Sequence, residues 1–278
     1  MLNADGLSSM TASSWPLELK RRMAAALICK MLATTVGISA FFVAYFWVLN
    51  NPLGPVLIMP LTALDRSVPI GPWALPLYFS LWLYVSLAPA LLRDARELAR
   101  FGAAAFVLGA TGLLIFLLWP TSTPDFDVDW NRYPSMAFLK DVDASANACP
   151  SLHVGFAVFT GLHLDRLLRE IRMPQPWRLL NLLWCAGIVY STLAIRQHVV
   201  LDVLAGGALG AAAALLHPGL LRRQARAMTN TAEPATRGAF EGAFRRALSW
   251  RRPEAADPAV SGAAPSRTDP VAGRLRSG

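Results

Sequence analysis

Two histidines and one carboxylate carry the chemistry in this chain. In Gln197-His198-Val199-Val200-Leu201-Asp202 the imidazole and the carboxylate are four residues apart, so on a helix they stack on one face. Asp202 can then accept from one ring nitrogen and leave the other nucleophilic. A second imidazole, His153 in Pro150-Ser151-Leu152-His153, arrives from another segment to act as the acid. Both histidines fall at the ends of apolar segments. This combination suits phosphoryl transfer through a phosphohistidine at a membrane surface. A His alone also serves as a helix cap or a hydrogen-bonding neighbour. A carboxylate in a membrane segment is costly unless paired, and by default it marks function.

The elements that must position these groups are apolar and long. Hydrophobic residues make up 54% of the chain and charged residues 16%. Residues 73–92 and 101–119 contain no charge at all, and about 20 apolar residues suffice to cross the hydrocarbon of a bilayer. Residues 31–49 form a third span, starting somewhat earlier, with Lys30 snorkelling at its inner end. Residues 151–164, 179–195 and 199–221 are the remaining three; the motif residues at their ends make their hydropathy less clean. The expected fold is all-α, an integral membrane six-helix bundle over residues 23–221. It is flanked by a cytoplasmic N-terminal arm (1–22) and a basic, largely disordered cytoplasmic tail (222–278).

Cation distribution orients the bundle. Lys20-Arg21-Arg22, the Arg93–Arg100 loop and the loop 165–178 are basic and read as cytoplasmic. The alternate loops, 50–72, 120–150 and 196–198, carry few cations, and 120–150 holds five Asp against Arg132 and Lys140. The protein is therefore expected to be multi-pass in the cell's inner (plasma) membrane, with the motif histidines facing the periplasm or exterior. Trp47, Trp73 and Trp119 near outer span ends, and Trp177 near an inner one, suit interfacial anchors. The N-terminus lacks the layout of a cleaved signal, so the first span is read as retained. The net charge of +8 follows this topology and the arginine-rich tail, so it implies membrane lipids as partners and no nucleic acid. Within the tail, Phe240, Phe244 and Leu248 are spaced for a short amphipathic helix on anionic lipid, or they belong to a solvated linker.

Other features are read more plainly. Cys29, Cys149 and Cys185 make no disulfide or Cys-x-x-Cys pattern. Cys149 as a nucleophile would need an Arg a few residues on to cradle phosphate, and Gly155 stands there. His163 and His217 fall at inner helix ends and read as interfacial. Gly206, Gly207 and Gly210 read as sites of close helix packing, and Phe41, Phe42, Tyr45 and Phe46 as packing residues. A metal site is the competing explanation for clustered His and Asp. The outer-loop residues Asp125, Asp127, Asp129, Asp141 and Asp143 leave it open, or keep that loop soluble.

Pro150-Ser151-Leu152-His153 followed some 45 residues later by His198-Val-Val-Leu-Asp202 resembles the type-2 phosphatidic acid phosphatase superfamily. Leu152, where lipid phosphatases usually have Gly, is similar to the inositol phosphorylceramide and sphingomyelin synthase branch and its bacterial members. The resemblance covers roughly residues 53–215. It implies His198 as the nucleophile, Asp202 as the carboxylate that orients it, His153 as the acid and Ser151 as part of a phosphate-binding helix start, a placement that suits an anion. Where the family's third motif has Arg six residues before its His, this chain has Thr192; Arg196 is the substitute, with Lys140, Arg132 and Arg66 the other outer-side cations. The expected activity is hydrolysis or transfer of a lipid phosphate ester with neither cofactor nor metal. Phosphatase action is favoured over inositol or lipid phosphotransfer. A third possibility is a non-catalytic transporter or scaffold using the His/Asp pair as a proton relay.

Overall fold

The computed structural model describes residues 15–142 and 147–215. They form ten helices: α1 (Trp15–Ala24), α2 (Leu27–Asn50), α3 (Ala63–Ser67), α4 (Leu75–Phe79), α5 (Leu81–Ala90), α6 (Ala95–Leu118), α7 (Pro134–Val142), α8 (Leu152–Glu170), α9 (Gln175–Ala194) and α10 (Val200–Leu215). The tail from 216 onward, with His217 and the segment around Phe240, lies outside the described residues, as do Asp143 and the side chains of Lys140 and Asp141.

Three segments are long and apolar enough to cross a membrane: α2, residues Pro72–Ala90 through α4 and α5, and α6. They correspond to the first three predicted spans. The last three predicted spans are helices as well, but α8 and α9 carry charge and the described part of α10 is short. Those charges are paired within the fold. Asp165 accepts from Arg169 and Arg178, at 2.7 and 2.9 Å. Glu170 accepts from Arg93 and Arg166, at 2.9 and 3.0 Å, and lies 3.5 Å from the Arg22 guanidinium. The Arg22 contact makes α1 part of the packed structure. Lys30 does not snorkel. It is buried, and its ammonium donates to the carbonyls of Arg22 at 2.6 Å and Ala90 at 3.1 Å, because that helix junction leaves both oxygens free to accept.

The hub of the bundle is α8, which packs against α5, α6, α9 and α10. Its buried Phe159 and Leu167 join Tyr84, Leu108, Phe116 and Ile188 in one core. Tyr84 and Asn181 pair their polar groups inside that core. The Tyr84 hydroxyl donates to Asn181 Oδ1 at 2.6 Å, and Asn181 Nδ2 donates to the Gly161 carbonyl at 3.0 Å. His163 is buried rather than interfacial, with Nδ1 2.9 Å from the Phe159 carbonyl and its ring against Phe101. The outward faces remain apolar: Val36, Val43, Phe106, Leu118 and Leu182 are all more than 60% exposed, a pattern compatible with a lipid environment.

The α8–α10 contact is made backbone to backbone. A Cβ on Gly206 would collide with the Ser151 carbonyl oxygen, and one on Gly210 with the Gly155 carbonyl. The next residue, Gly207, faces only Val154 Cγ1, at 3.9 Å. Gly206→Ala is therefore expected to force the two helices apart at a cost of about 1–3 kcal/mol. Gly207→Ala should be neutral or stabilise by up to about 1 kcal/mol through helix propensity. Thermal unfolding of the two variants in detergent checks the contrast, and equal midpoints would remove the close-packing role of Gly206.

Candidate active site

The start of α8, the end of α9 and the start of α10 meet at the end of the bundle opposite the Glu170 cluster. Ser151 caps α8, its hydroxyl accepting from Val154 N–H at 3.3 Å, and its own N–H donates to the Asp202 carbonyl at 3.0 Å. That last bond ties the helix carrying His153 directly to the helix carrying Asp202. Asp202 is fully buried, and its Oδ2 accepts from Val199 N–H at 3.0 Å at the first turn of α10. The same oxygen lies 3.6 Å from His198 Nδ1, a separation longer than a hydrogen bond. The two side chains thus approach each other although His198 sits in the turn before α10 and not on the helix itself.

His153 is held from the other side by α4. Its ring stacks on Tyr78, with centroids 3.9 Å apart and planes 9° from parallel, and Trp82 meets it edge-on. His153 Nε2 is 3.1 Å from the Tyr78 carbonyl. A carbonyl can only accept, so Nε2 carries a proton and Nδ1 is the atom left for exchange with a ligand. Both imidazoles line one cavity of about 870 Å³ between α2, α5, α6 and α8. Elsewhere its wall is almost wholly apolar, with Phe41, Tyr45, Trp82 and Phe156 prominent.

Arg196 is placed differently from a free phosphate clamp. Gln197 N–H donates to Thr192 O and Arg196 N–H to Leu193 O, both at 3.1 Å. This is the pattern that ends a helix with a left-handed residue, usually Gly. Arg196 holds that position with φ of 62°, in a region costly for a side-chain-bearing residue. Its guanidinium donates to the carbonyls of Asp65 at 2.8 Å and Val68 at 2.6 Å and lies over the Phe126 ring. Burial works against its charge and the nearby Asp65 carboxylate favours it. Thr192 supplies no cation; its hydroxyl donates to the Val189 carbonyl. Ser151 is fully buried and its hydroxyl caps α8, outside the cavity lining. Lys140 belongs to α7, and its side chain lies outside what the structure describes. Arg132 is exposed, 3.2 Å from Asp129, and Arg66 is exposed.

Several site-building residues escaped the sequence reading. Asp65 is buried; its Oδ1 accepts from Val200 N–H at 2.8 Å, and Oδ2 accepts from the Thr62 N–H and hydroxyl. Thr62-x-x-Asp65 is a readable capping pattern, but its second use, on the first turn of α10, is a contact across 135 positions. Tyr78 and Asn147 likewise become visible only in three dimensions. The three cysteines are free. Burial, and then the Asp202 carboxylate, pushes the Cys149 thiol up to about 11, so it stays protonated and is a poor nucleophile. Among the described residues no three His, Cys, Asp or Glu side chains are grouped to hold a metal ion.

A family model of the PAP2 superfamily matches residues 71–216, more than half of the chain, and the chain belongs to that superfamily. The match includes both histidine motifs. Lipid-phosphatase-type chemistry on a phosphoric ester is what this membership supports. No curated protein and no solved structure matches the chain.

The Arg196 geometry separates its two contributions. Arg196→Gly relieves the left-handed strain and loses the guanidinium; Arg196→Ala loses the guanidinium but keeps the strain, and should be less stable than the Gly variant by about 1–2 kcal/mol. Both should speed amide hydrogen exchange in residues 62–68, where the guanidinium binds the two carbonyls. Unchanged exchange there, together with lost turnover, would return Arg196 to the role of phosphate clamp.

Proposed function

We propose that the chain is an integral-membrane enzyme that cleaves a lipid phosphate ester through a phosphohistidine on His198, with its site at the outer leaflet. The carrying observation is the cavity: an apolar space large enough for a lipid-sized ligand ends at two imidazoles, one of them beside a buried carboxylate. Acyl chains belong in the apolar part and the phosphate at the polar end. His198 attacks phosphorus while Asp202 stabilises the imidazolium that forms, and His153 protonates the departing alkoxide oxygen. The resulting P–N bond is then attacked by an acceptor hydroxyl, with His153 as base, and His198 is released. Positioning and charge stabilisation supply most of the acceleration, as in phosphoryl transfer generally.

Water as acceptor makes a lipid phosphatase, the favoured reading. A lipid or inositol hydroxyl makes a phosphotransferase of the sphingolipid-synthase type, and Leu152 in place of the usual Gly supports that alternative. In this reading α8, α9 and α10 complete a six-span bundle in the plasma membrane. The exposed Leu179, Leu180, Leu182 and Leu183 on α9 favour lipid contact for that helix. Phosphate binding is assigned to Arg196, Ser151 and Lys140. Arg196 can serve it only if its guanidinium exchanges a loop carbonyl for the substrate.

A phosphate-labelled lipid should leave acid-labile, base-stable label on the wild type and none on His198→Ala. His153→Ala should label slowly and recover with a substrate whose leaving group needs no proton. Turnover should survive a strong chelator. Label persisting on His198→Ala would remove the mechanism, and label discharged faster by added lipid alcohol would favour transfer over hydrolysis.

Sidedness has its own test. A membrane-impermeant thiol reagent applied from outside should modify a cysteine placed at position 140 in a cysteine-free background, and should miss one placed at position 172. The reverse pattern would put the site on the cytoplasmic face.

A further inference from the structure

The loop leading into Pro150 carries a carboxamide into the candidate site. The backbone of Asn147 bridges Thr121 in the short strand Thr121–Ser122. Ala148 N–H donates to the Thr121 carbonyl at 2.9 Å, and Cys149 N–H to the Thr121 hydroxyl at 2.8 Å. The chain around Asn147 is therefore pinned on its C-terminal side as well as at the residue itself. Its side chain is only 8% exposed and lines the same cavity as His153 and His198. Neither its Nδ2 nor its Oδ1 has a hydrogen-bond partner among the described residues.

That is an unusual condition for a buried amide. Native interiors pair nearly all such groups, and each exception calls for a reason. The other buried asparagine, Asn181, shows the usual outcome, with both ends of its amide bonded. Asn147 differs in facing a cavity whose wall is largely apolar, with the two imidazoles and the hydroxyls of Thr34, Tyr45, Tyr78 and Thr160 as its other polar groups. A hydrocarbon chain there offers it no acceptor, whereas the polar end of a ligand would complete it.

We propose that Asn147 is a substrate-contacting residue, its Nδ2–H donating to a non-bridging oxygen of the phosphoryl group held between His198 and His153. The assignment rests on the phosphoryl-transfer reading above and deepens it. A neutral donor in a water-poor cavity binds a phosphoryl oxygen strongly. It also does so without bringing another unpaired charge into the cavity.

The test uses the full-length protein in detergent and orthovanadate, an ion that adopts the five-coordinate geometry of phosphoryl transfer. Asn147→Leu, similar in volume, is expected to weaken vanadate inhibition at least about tenfold and to lower kcat/KM by about ten- to a hundredfold. Its ligand-free unfolding midpoint should be unchanged or raised, because an unpaired buried amide has been replaced by an apolar group. A structural asparagine predicts the opposite pair of results, a lowered midpoint with vanadate affinity intact. Asn147→Asp, which replaces the donor with a negative acceptor, should weaken vanadate more than Asn147→Leu does. It supplies the binding measurement if the leucine variant fails to fold. Vanadate affinity within twofold of wild type in either variant overturns the assignment. Wild type that neither hydrolyses nor transfers phosphate removes the underlying reading as well, whereas active wild type with indifferent Asn147 variants removes this inference alone.

Discussion

The approach of α8 to α10 is the constraint on which the rest of the site depends. Two backbones can come this near only where no side chain intervenes, and Gly155, Gly206 and Gly210 meet that condition. The approach permits the Ser151 N–H to reach the Asp202 carbonyl. With that bond in place, the first turn carrying His153 and the first turn carrying Asp202 become one rigid unit. In a bilayer, where helices gain nothing from hiding apolar surface from each other, small residues and close van der Waals contact are the principal means of association. The neighbouring helix shows the complementary device: Leu152 fills the space left by Gly112 of α6, which gives the Leu of the Pro-Ser-Leu-His element a packing reason independent of chemistry.

A second layer of restraint comes from outside the bundle. Arg196 terminates α9 in a left-handed conformation that Gly would adopt at lower cost, and its guanidinium reaches back to the loop around Asp65. Asp65 in turn accepts from the first turn of α10. The His198 turn is thereby clamped between α9, the loop and α10, while His198 Nδ1 and Asp202 Oδ1 are buried without a hydrogen-bond partner among the described residues. The clamping suits a nucleophile, since an imidazole free to tumble loses the advantage of position.

What was readable in the sequence was what helical periodicity controls. Four-residue spacing brings His198 and Asp202 within 3.6 Å of each other, with His198 in the turn before α10 and not on its face, and a serine before an apolar run marks the start of α8. Clustered glycines marked a close helix contact, and charge-free runs marked α2, α5 and α6. What resisted reading was long-range pairing. Lys30 was expected at a lipid interface because a lone lysine in an apolar run usually snorkels; carbonyls from α1 and α5 hold it instead. His163 became a core residue through Phe101, and Arg196 met carbonyls some 130 positions away. The polar character that blurred α8 arises from Asp165, Arg166, Arg169 and Glu170, whose partners lie on other segments as well as on α8 itself.

The same division explains why the phosphate-binding half of the site was harder to read than the histidine half. His198 and Asp202 lie within one turn of chain, so their spacing survives in the sequence as a motif. Donors to a phosphoryl group need only converge in space, and they can come from any loop that reaches the rim. Cations were the natural candidates because anions attract them. Burial changes that preference: an uncompensated guanidinium beside an apolar cavity is costly, and Arg196 lowers the cost by binding backbone carbonyls and a ring. A neutral carboxamide tolerates an unpartnered state far better than an ammonium does. The lining of this cavity is largely apolar, with two imidazoles, Asn147 and a few hydroxyls as its polar groups, a composition that suits the proposed pairing of a lipid tail with a phosphate in one space.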